Sequence, residues 1–230
     1  MAKGKLIVIE GLDGSGKATQ TGLLCRNLAE RWGSSFRRVS FPDYDDPSSA
    51  LVKLYLGGEL GGLEQVNAYG ASLFYTVDRY ASYLRRWGED YKKGFLIVAD
   101  RYATSNIAHQ MPKLPRGEWD SYLAWLEETE YTQVGIPRPD KVIYLDMAPE
   151  TSRKLLARRY HGDESKKDIH EANFAYLQSC REAALYGAEK LGWSVLRCCD
   201  GENPYPPEEI GEKVWQAVEP LLYGKDKDSL

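Results

Sequence analysis

The sequence predicts an α/β fold in which a mostly parallel, five-stranded sheet lies between layers of helices. Two observations predict it: five short apolar runs are typical of strands, and helix-like stretches separate them. The runs are rich in Val, Ile and Leu and do not alternate with polar residues, as in strands buried on both faces. They lie at residues 6–10, 38–41, 95–99, 142–145 and 194–198.

The size and composition fit one domain spanning residues 1–230. A chain of 230 residues with 43% hydrophobic residues can bury a single core. The formal net charge of -4 gives no support for a nucleic-acid-binding surface, which is usually basic. The N-terminus has no signal-peptide pattern, and no apolar run approaches the ~20 residues that span a bilayer. We therefore expect neither a nucleic-acid nor a membrane partner.

The cysteine spacing predicts reduced thiols in a cytoplasmic protein. No pair has CxxC spacing, and no histidines lie nearby at zinc-finger spacing. The cysteines are Cys25, Cys180, Cys198 and Cys199.

Residues that follow the strand-like runs predict where a ligand binds. In open parallel sheets, ligands bind beyond the carboxyl ends of the strands. Four of the five segments that follow the runs carry charged or glycine-rich residues, among them 11–19 and 100–102. We therefore expect a functional site at this edge of the sheet.

A phosphate loop follows the first run. The segment 11–20, GLDGSGKATQ, leads into an amphipathic stretch at 21–32. Strand, glycine-rich loop and helix in this order let backbone N–H groups surround a phosphate, and Lys17 reaches the β- and γ-phosphates. Ala18 stands where a Ser or Thr usually holds Mg²⁺, and Thr19 can contact an α-phosphate instead. The predicted ATP-binding residues are Gly11, Asp13, Gly14, Ser15, Gly16, Lys17, Ala18 and Thr19.

A long helix is predicted at 66–87. Tyr75 and Arg79 lie one turn apart, so the ring can stack on a base while the guanidinium holds its phosphate. Phe74 is adjacent and is an alternative stacking residue. Other apolar residues repeat at three- and four-residue steps on a different face, which we expect to lie in the core. They are Tyr69, Leu73, Tyr80, Leu84 and Trp87.

Polar residues after the third run predict a site for the phosphoryl acceptor. Asp100 can hold a water on Mg²⁺ or orient the acceptor, and Arg101 can bridge the two phosphates that must meet. Asn106 and Gln110 lie one turn apart, and an amide offers both the donor and the acceptor needed to read a pyrimidine edge. His109 shows no metal-binding spacing, and we expect it at the surface or behind the site.

A basic lid is predicted at 153–168, after the fourth run. Pro149 and the arginines that follow it suit a helix, and 160–168 are polar. Such a lid excludes water and supplies positive charge to the transition state of phosphoryl transfer. We expect Arg153 and Arg158 to act in this role before Arg159.

These motifs together resemble the thymidylate kinase family of P-loop nucleoside monophosphate kinases. The resemblance covers nearly the whole chain and includes the acid Asp13 in the phosphate loop, which in that family contacts the 3′-hydroxyl of the acceptor. The Asp-Arg-Tyr at 100–102 and the aromatic residue four before Arg79 are also similar. Because Gly14 leaves the loop without an arginine, the chain resembles the members that use a lid arginine.

The resemblance implies a P-loop NTPase fold, a three-layer α/β/α sandwich with a small lid. It implies transfer of the γ-phosphoryl group of ATP to dTMP, which gives dTDP for dTTP synthesis, with Mg²⁺ as cofactor and a homodimer as the assembly. The implied catalytic residues are Lys17, Asp100, Arg101, Arg153 and Arg158. The implied acceptor-binding residues are Asp13, Phe41, Tyr44, Phe74, Tyr75, Arg79, Arg101, Asn106 and Gln110.

One departure from the family pattern leaves the acceptor open. Tyr44 stands where the family usually has an arginine that holds the acceptor phosphate. Either Arg79 and Arg101 carry this phosphate, or the acceptor pocket differs. Two alternatives therefore remain: another deoxynucleotide or deoxynucleoside kinase of the same fold, and a non-catalytic nucleotide-binding switch.

Overall fold

The main sheet has five parallel strands in the order β2-β3-β1-β4-β5. The computed structural model describes residues 3–31, 33, 35–159, 174–201 and 203–223. The sheet confirms the predicted parallel topology. Its strands are β1 (Lys5–Gly11), β2 (Phe36–Ser40), β3 (Leu96–Asp100), β4 (Lys141–Asp146) and β5 (Ser194–Arg197). A small antiparallel pair follows, β6 (Cys199–Asp200) and β7 (Asn203–Pro204).

Helices lie between and after the strands. In chain order they are α1 (Lys17–Arg31), α2 (Ala50–Leu56), α3 (Ala68–Ser82), α4 (Gly88–Lys92), α5 (Ser105–His109), α6 (Trp119–Glu127), α7 (Pro149–Arg159), α8 (Phe174–Leu191) and α9 (Pro207–Tyr223). A π-helical segment, Tyr83–Trp87, joins α3 to α4, and a second one, Glu128–Gln133, follows α6. None of the described helices is both long and apolar enough to cross a membrane.

Both faces of the central strands β1, β3 and β4 are buried, as the continuous apolar runs predict. The prediction is wrong for the edge strands β2 and β5, which have one neighbouring strand each and carry exposed residues such as Arg38 and Val195. On β1, Ile7 and Ile9 pack into a cluster with α1 and α9, and Leu6 and Val8 pack into a second cluster with Trp87. Successive residues of a strand point to opposite faces, so one strand supplies two helix layers. The predicted three-layer arrangement is confirmed.

The predicted core face of the long helix is wrong for three of its five residues. Leu73, Tyr80 and Leu84 are 46%, 40% and 60% exposed, whereas Trp87 is fully buried. The face of α3 that enters the protein carries small or polar residues such as Ser72, and these are satisfied internally. Ser72 Oγ donates to the carbonyl of Ala68, the residue one turn earlier, at 2.7 Å. Internal hydrogen-bond partners thus make it possible to bury a polar face of α3, while its apolar stripe is exposed at the surface.

The lid prediction extends past the described residues. Helix α7 begins at Pro149, as expected, and ends at Arg159. Residues 160–168 of the predicted lid and the side chain of Arg158 lie outside the described part of the chain.

Candidate active site

A cavity of about 970 Å³ lies at the carboxyl edge of the sheet, where the sequence predicts the site. Because β1 and β3 are neighbours, the segments that follow them meet in this cavity. Most of the predicted site residues line it: Asp13, Gly14, Gly16, Lys17, Ala18, Thr19, Phe41, Tyr44, Tyr75, Arg79, Asp100, Arg101, Asn106 and Gln110. Gly11, Ser15, Phe74 and Arg153 do not line it.

The phosphate loop is closely packed against α7. Gly14 has φ of 81°, and a Cβ there would lie 2.5 Å from the carbonyl oxygen of Ser152, so the position needs glycine for its backbone and for space. Gly16 also has a left-handed φ, 88°. Helix α1 begins directly at Lys17, and its first N–H groups lie at the loop, where they can bind a phosphate.

Lys17 is held inside the loop. Its Nζ donates to the carbonyl of Leu12 at 2.8 Å and lies 3.5 Å from Oδ1 of Asp13. Burial lowers the pKa of Lys17, and the charge of Arg101 acts in the same direction while Asp13 opposes it. The ammonium is therefore placed beside the loop before any phosphate binds.

Arg101 joins the two halves of the cavity. Its Nη2 donates to Oδ1 of Asp13, and its Nη1 lies 3.0 Å from Nε2 of His109 and donates to Oγ of Ser105 at 3.4 Å. Burial alone would raise the pKa of Asp13, but Arg101 and Lys17 hold it well below its usual value. The expectation for His109 needs correction: the residue is only 8% exposed, lines the cavity and contacts Arg101 directly.

The buried carboxylate of Glu10 fixes the turn that presents Arg101. Arg101 has φ of 66°, a left-handed conformation that is costly for a residue with a Cβ. Just after it, Glu10 accepts hydrogen bonds from Tyr102 N at 3.1 Å, Thr104 Oγ1 at 2.6 Å and Ser105 Oγ at 2.7 Å. Burial raises the pKa of Glu10, partly offset by the charge of Arg101.

The side of the cavity that is predicted to bind the acceptor has an aromatic wall and two buried amides. The rings of Phe74 and Tyr75 both pack towards Tyr55, with centroid distances of 6.2 and 6.4 Å. Of the two, Tyr75 lines the cavity and Phe74 does not, so the geometry favours Tyr75 as the stacking residue. Asn106 and Gln110 are 2% and 0% exposed. Neither Asn106 Nδ2 nor Gln110 Nε2 has a hydrogen-bond partner among the described residues. Two buried amide donors at the cavity are suited to a ligand's carbonyl groups.

Arg79 lines the cavity but is already paired. Its side chain is 2% exposed, and both Nε and Nη2 donate to Glu130, whose side chain is 0% exposed. Thr76 Oγ1 donates to the same carboxylate at 2.6 Å. Burial would lower the pKa of Arg79, but Glu130 raises it. The guanidinium of Arg79 is thus a fixed part of the cavity wall, and the carboxylate of Glu130 balances its charge.

Several lining residues are missing from the predicted site. Lys53, Leu56 and Gly57 reach the cavity from the short helix α2 and its end, and Ser105 and His109 from α5. The spacing of Ser105 and His109 after Asp100 could have indicated the latter pair, since they share one helix with Asn106. Lys53 lies outside every motif, and only the position of α2 reveals it.

The residues of the site fit a magnesium ion that is held mainly by nucleotide phosphates. Mg²⁺ usually takes one or two carboxylates together with phosphate oxygens and waters. Asp100 offers a carboxylate at the cavity, 3.8 Å from Nη2 of Arg38. Among the described residues, no group of three or more His, Cys, Asp or Glu side chains could form a protein cage for a metal.

The predicted lid arginine Arg153 lies outside the cavity. Its guanidinium lies over the ring of Phe174 at 4.6 Å from the centroid, on the exposed side of α7. Leu155 and Leu156 of the same helix line the cavity instead. A catalytic role for Arg153 therefore stays a prediction.

Comparisons with known proteins identify the family. A family model described as thymidylate kinase matches residues 9–200. The chain is 30% identical over 224 residues to the thymidylate kinase of Caenorhabditis elegans. The alignment covers 88% of this chain and 94% of that protein. It is 31% identical over 167 residues to the thymidylate kinase of Schizosaccharomyces pombe, and this alignment covers 73% of this chain and 71% of that protein.

A solved structure agrees on the fold. The structure of the thymidylate kinase from Candida albicans matches with a TM-score of 0.71 at 22% identity, covering 95% of this chain and 92% of that one. The family model matches most of the chain, including the phosphate loop and the segment of Asp100 and Arg101. The chain belongs to the thymidylate kinase family.

Proposed function

We propose that the cavity of about 970 Å³ is where ATP and dTMP meet, and that direct transfer of the γ-phosphoryl group occurs there. As a member of its family, the chain is an ATP-dependent phosphotransferase that converts dTMP into dTDP. The observation that carries the assignment of the site is the meeting of the phosphate loop with Asp100 and Arg101 in one cavity.

On the donor side, backbone N–H groups of the loop and the start of α1 bind the phosphates of ATP. Lys17 neutralises charge on the β- and γ-phosphates. Asp100 would hold Mg²⁺ together with the nucleotide phosphates, and the ion would add positive charge to neutralise them. Ala18 offers no hydroxyl for this purpose.

On the acceptor side, Tyr75 stacks on the thymine ring, and the buried amides of Asn106 and Gln110 bind its polar edge. Asp13 binds the sugar hydroxyl, and Arg101 bridges the acceptor phosphate and the transferring group. An oxygen of the dTMP phosphate attacks the γ-phosphorus, and the bond to the β-phosphate oxygen breaks to release ADP. No covalent enzyme intermediate is required. Positioning and positive charge are the main contributions of the protein.

The test is ADP production from ATP and Mg²⁺ with a panel of acceptors: dTMP, dUMP, dCMP, dAMP, dGMP, UMP, thymidine and water. We expect the highest kcat/KM for dTMP. Lys17→Met should abolish turnover, and Lys93→Met, an exposed change away from the cavity, should not. Preference for another monophosphate or for thymidine would overturn the assignment of dTMP as the acceptor. Turnover of ATP that does not depend on any acceptor would favour a nucleotide-binding switch.

We also propose a homodimer formed through the exposed stripe of α3 and the segment after it. Leu73, Val77, Tyr80 and Leu84 follow helical spacing and are 46%, 51%, 40% and 60% exposed. A contiguous apolar stripe of this kind is typical of a subunit interface. Sedimentation velocity should give a dimer that Leu84→Glu dissociates. Val195→Glu, at an exposed apolar residue of β5, is the control and should remain dimeric.

A reducing compartment such as the cytoplasm suits this chain. All four cysteines are free thiols, and three of them are buried. Disulfides are rare in such compartments, so free buried thiols are stable there.

A further inference from the structure

The acceptor phosphate is a strongly charged group that needs cations. A phosphate monoester carries about -1.5 to -2 charges near neutral pH. Apart from His109, the cationic side chains that line the described cavity are Lys17, Lys53, Arg79 and Arg101. Their existing contacts decide which of them has charge to offer.

Three of the four cations are already paired. Arg79 is buried against Glu130, and exchanging this partner would leave a buried carboxylate alone. Lys17 and Arg101 both contact Asp13. Lys17 also belongs to the phosphate loop, where it is needed for ATP. Tyr44 lines the cavity at the position where the sequence analysis notes a missing arginine, and it is neutral.

Lys53 differs from these three. Its ammonium makes no ion pair or hydrogen bond with any residue that the structure describes, and the side chain is exposed at the cavity wall. It lies on α2, whose Val52 and Tyr55 are fully buried and fix the helix against the core. The helix therefore presents a cation with no protein partner to the acceptor side.

The loop before α2 is also anchored. Asp78 of α3 accepts from Asp43 N at 2.9 Å and from Ser48 Oγ at 2.8 Å. Asp46 accepts from Arg85 Nη1 at 2.9 Å. These bonds tie the start of α2 to α3, the helix that carries Tyr75, so the stacking ring and Lys53 are held in one framework.

We propose that Lys53 binds the 5′-phosphate of the acceptor and replaces the arginine that is missing at Tyr44. This inference depends on the proposed function, since it assigns one contact within the same site. Lys53 takes no part in proton transfer. Its ammonium contributes charge to binding and shares the phosphate with Arg101, whose guanidinium also reaches the transferring group.

The experiment compares Lys53→Met, Lys53→Arg and the control Lys93→Met with the wild type. Initial rates give KM for dTMP and for ATP, and calorimetric titration gives Kd for dTMP and for thymidine, which lacks the phosphate. We expect Lys53→Met to raise KM for dTMP by about 10- to 100-fold, as expected for loss of one charged contact. KM for ATP should change less than about twofold, and Lys53→Arg should retain most of the affinity for dTMP.

The ratio of the two Kd values separates binding of the phosphate from a general structural effect. Lys53→Met should reduce the preference for dTMP over thymidine by about 10- to 100-fold and leave Kd for thymidine unchanged. An unchanged preference, or equal losses for both ligands, would overturn the role of Lys53. If the wild type itself does not bind or phosphorylate dTMP, the proposed function fails, independently of the result for Lys53.

Discussion

Replacement of Glu10 by alanine should release the turn that aims Arg101. The carboxylate accepts from Tyr102 N, Thr104 Oγ1 and Ser105 Oγ, and these bonds hold a backbone with φ of 66° at Arg101. Each buried donor left without a partner costs about 1–3 kcal/mol, less where water enters. We therefore expect Glu10→Ala to lose about 2–4 kcal/mol of the free energy of unfolding. Displacement of the guanidinium should lower kcat/KM about 100-fold.

Glu10→Gln is the matched variant, because its amide keeps the shape. Its carbonyl oxygen can accept from Tyr102 N and Thr104 Oγ1, and its N–H can donate to Ser105 Oγ, which reverses the third hydrogen bond. Burial raises the pKa of Glu10 above its ordinary value of 4.5. A carboxyl whose folded pKa is raised contributes stability below its unfolded pKa and loses that contribution as the pH rises through the folded value. Glutamine does not titrate. The free energy of unfolding of Glu10→Gln should therefore equal that of the wild type at about pH 4 and exceed it at neutral pH.

Urea unfolding at two pH values and initial rates with ATP and dTMP check both expectations. Glu10→Gln should retain most of the kcat/KM that Glu10→Ala loses, because position and not charge is the contribution of this residue. Wild-type kcat/KM in Glu10→Ala would refute the reasoning. So would a Glu10→Gln protein as unstable at neutral pH as Glu10→Ala, because it would mean that the amide cannot replace the carboxylate.

Three further changes test the site. Glu130→Ala should lower the free energy of unfolding by about 3–5 kcal/mol because it leaves Arg79 buried without its carboxylate, and added Arg79→Met should recover part of the loss in urea unfolding. Gly14→Ala should reduce ATP affinity in calorimetry at least tenfold, whereas Gly33→Ala, with φ of 91° and no atom within 4 Å of the added Cβ, should cost stability only. Neighbouring cations hold the pKa of Asp13 low, so its contribution is present above its unfolded pKa of 3.8 and is lost as the pH falls. The Tm difference between wild type and Asp13→Asn should therefore shrink between pH 6 and pH 3.

The sequence predicts the sheet and the phosphate loop well because both depend on local patterns. A continuous apolar run implies burial on two faces, and GLDGSGKATQ has its conformation encoded in its glycines. The face of α3 is different, since Glu130, the partner that makes burial of Arg79 acceptable, lies 51 residues along the chain. No periodicity in the helix reveals such a partner. The position of Lys53 at the cavity is hidden for the same reason, because only the packing of α2 brings it there.

Arg79 and Arg101 look equivalent in the sequence but have different freedom in the fold. Arg79 pairs with a carboxylate that is 0% exposed, so leaving Glu130 would strand a buried charge. Arg101 pairs with Asp13, whose side chain is 27% exposed and lies at the cavity, where a sugar hydroxyl can take over the carboxylate. Under the proposed function, binding of the acceptor sugar to Asp13 would release Arg101 towards the phosphates, whereas Arg79 would keep its partner. The acceptor would thus free the cation that its own phosphate requires.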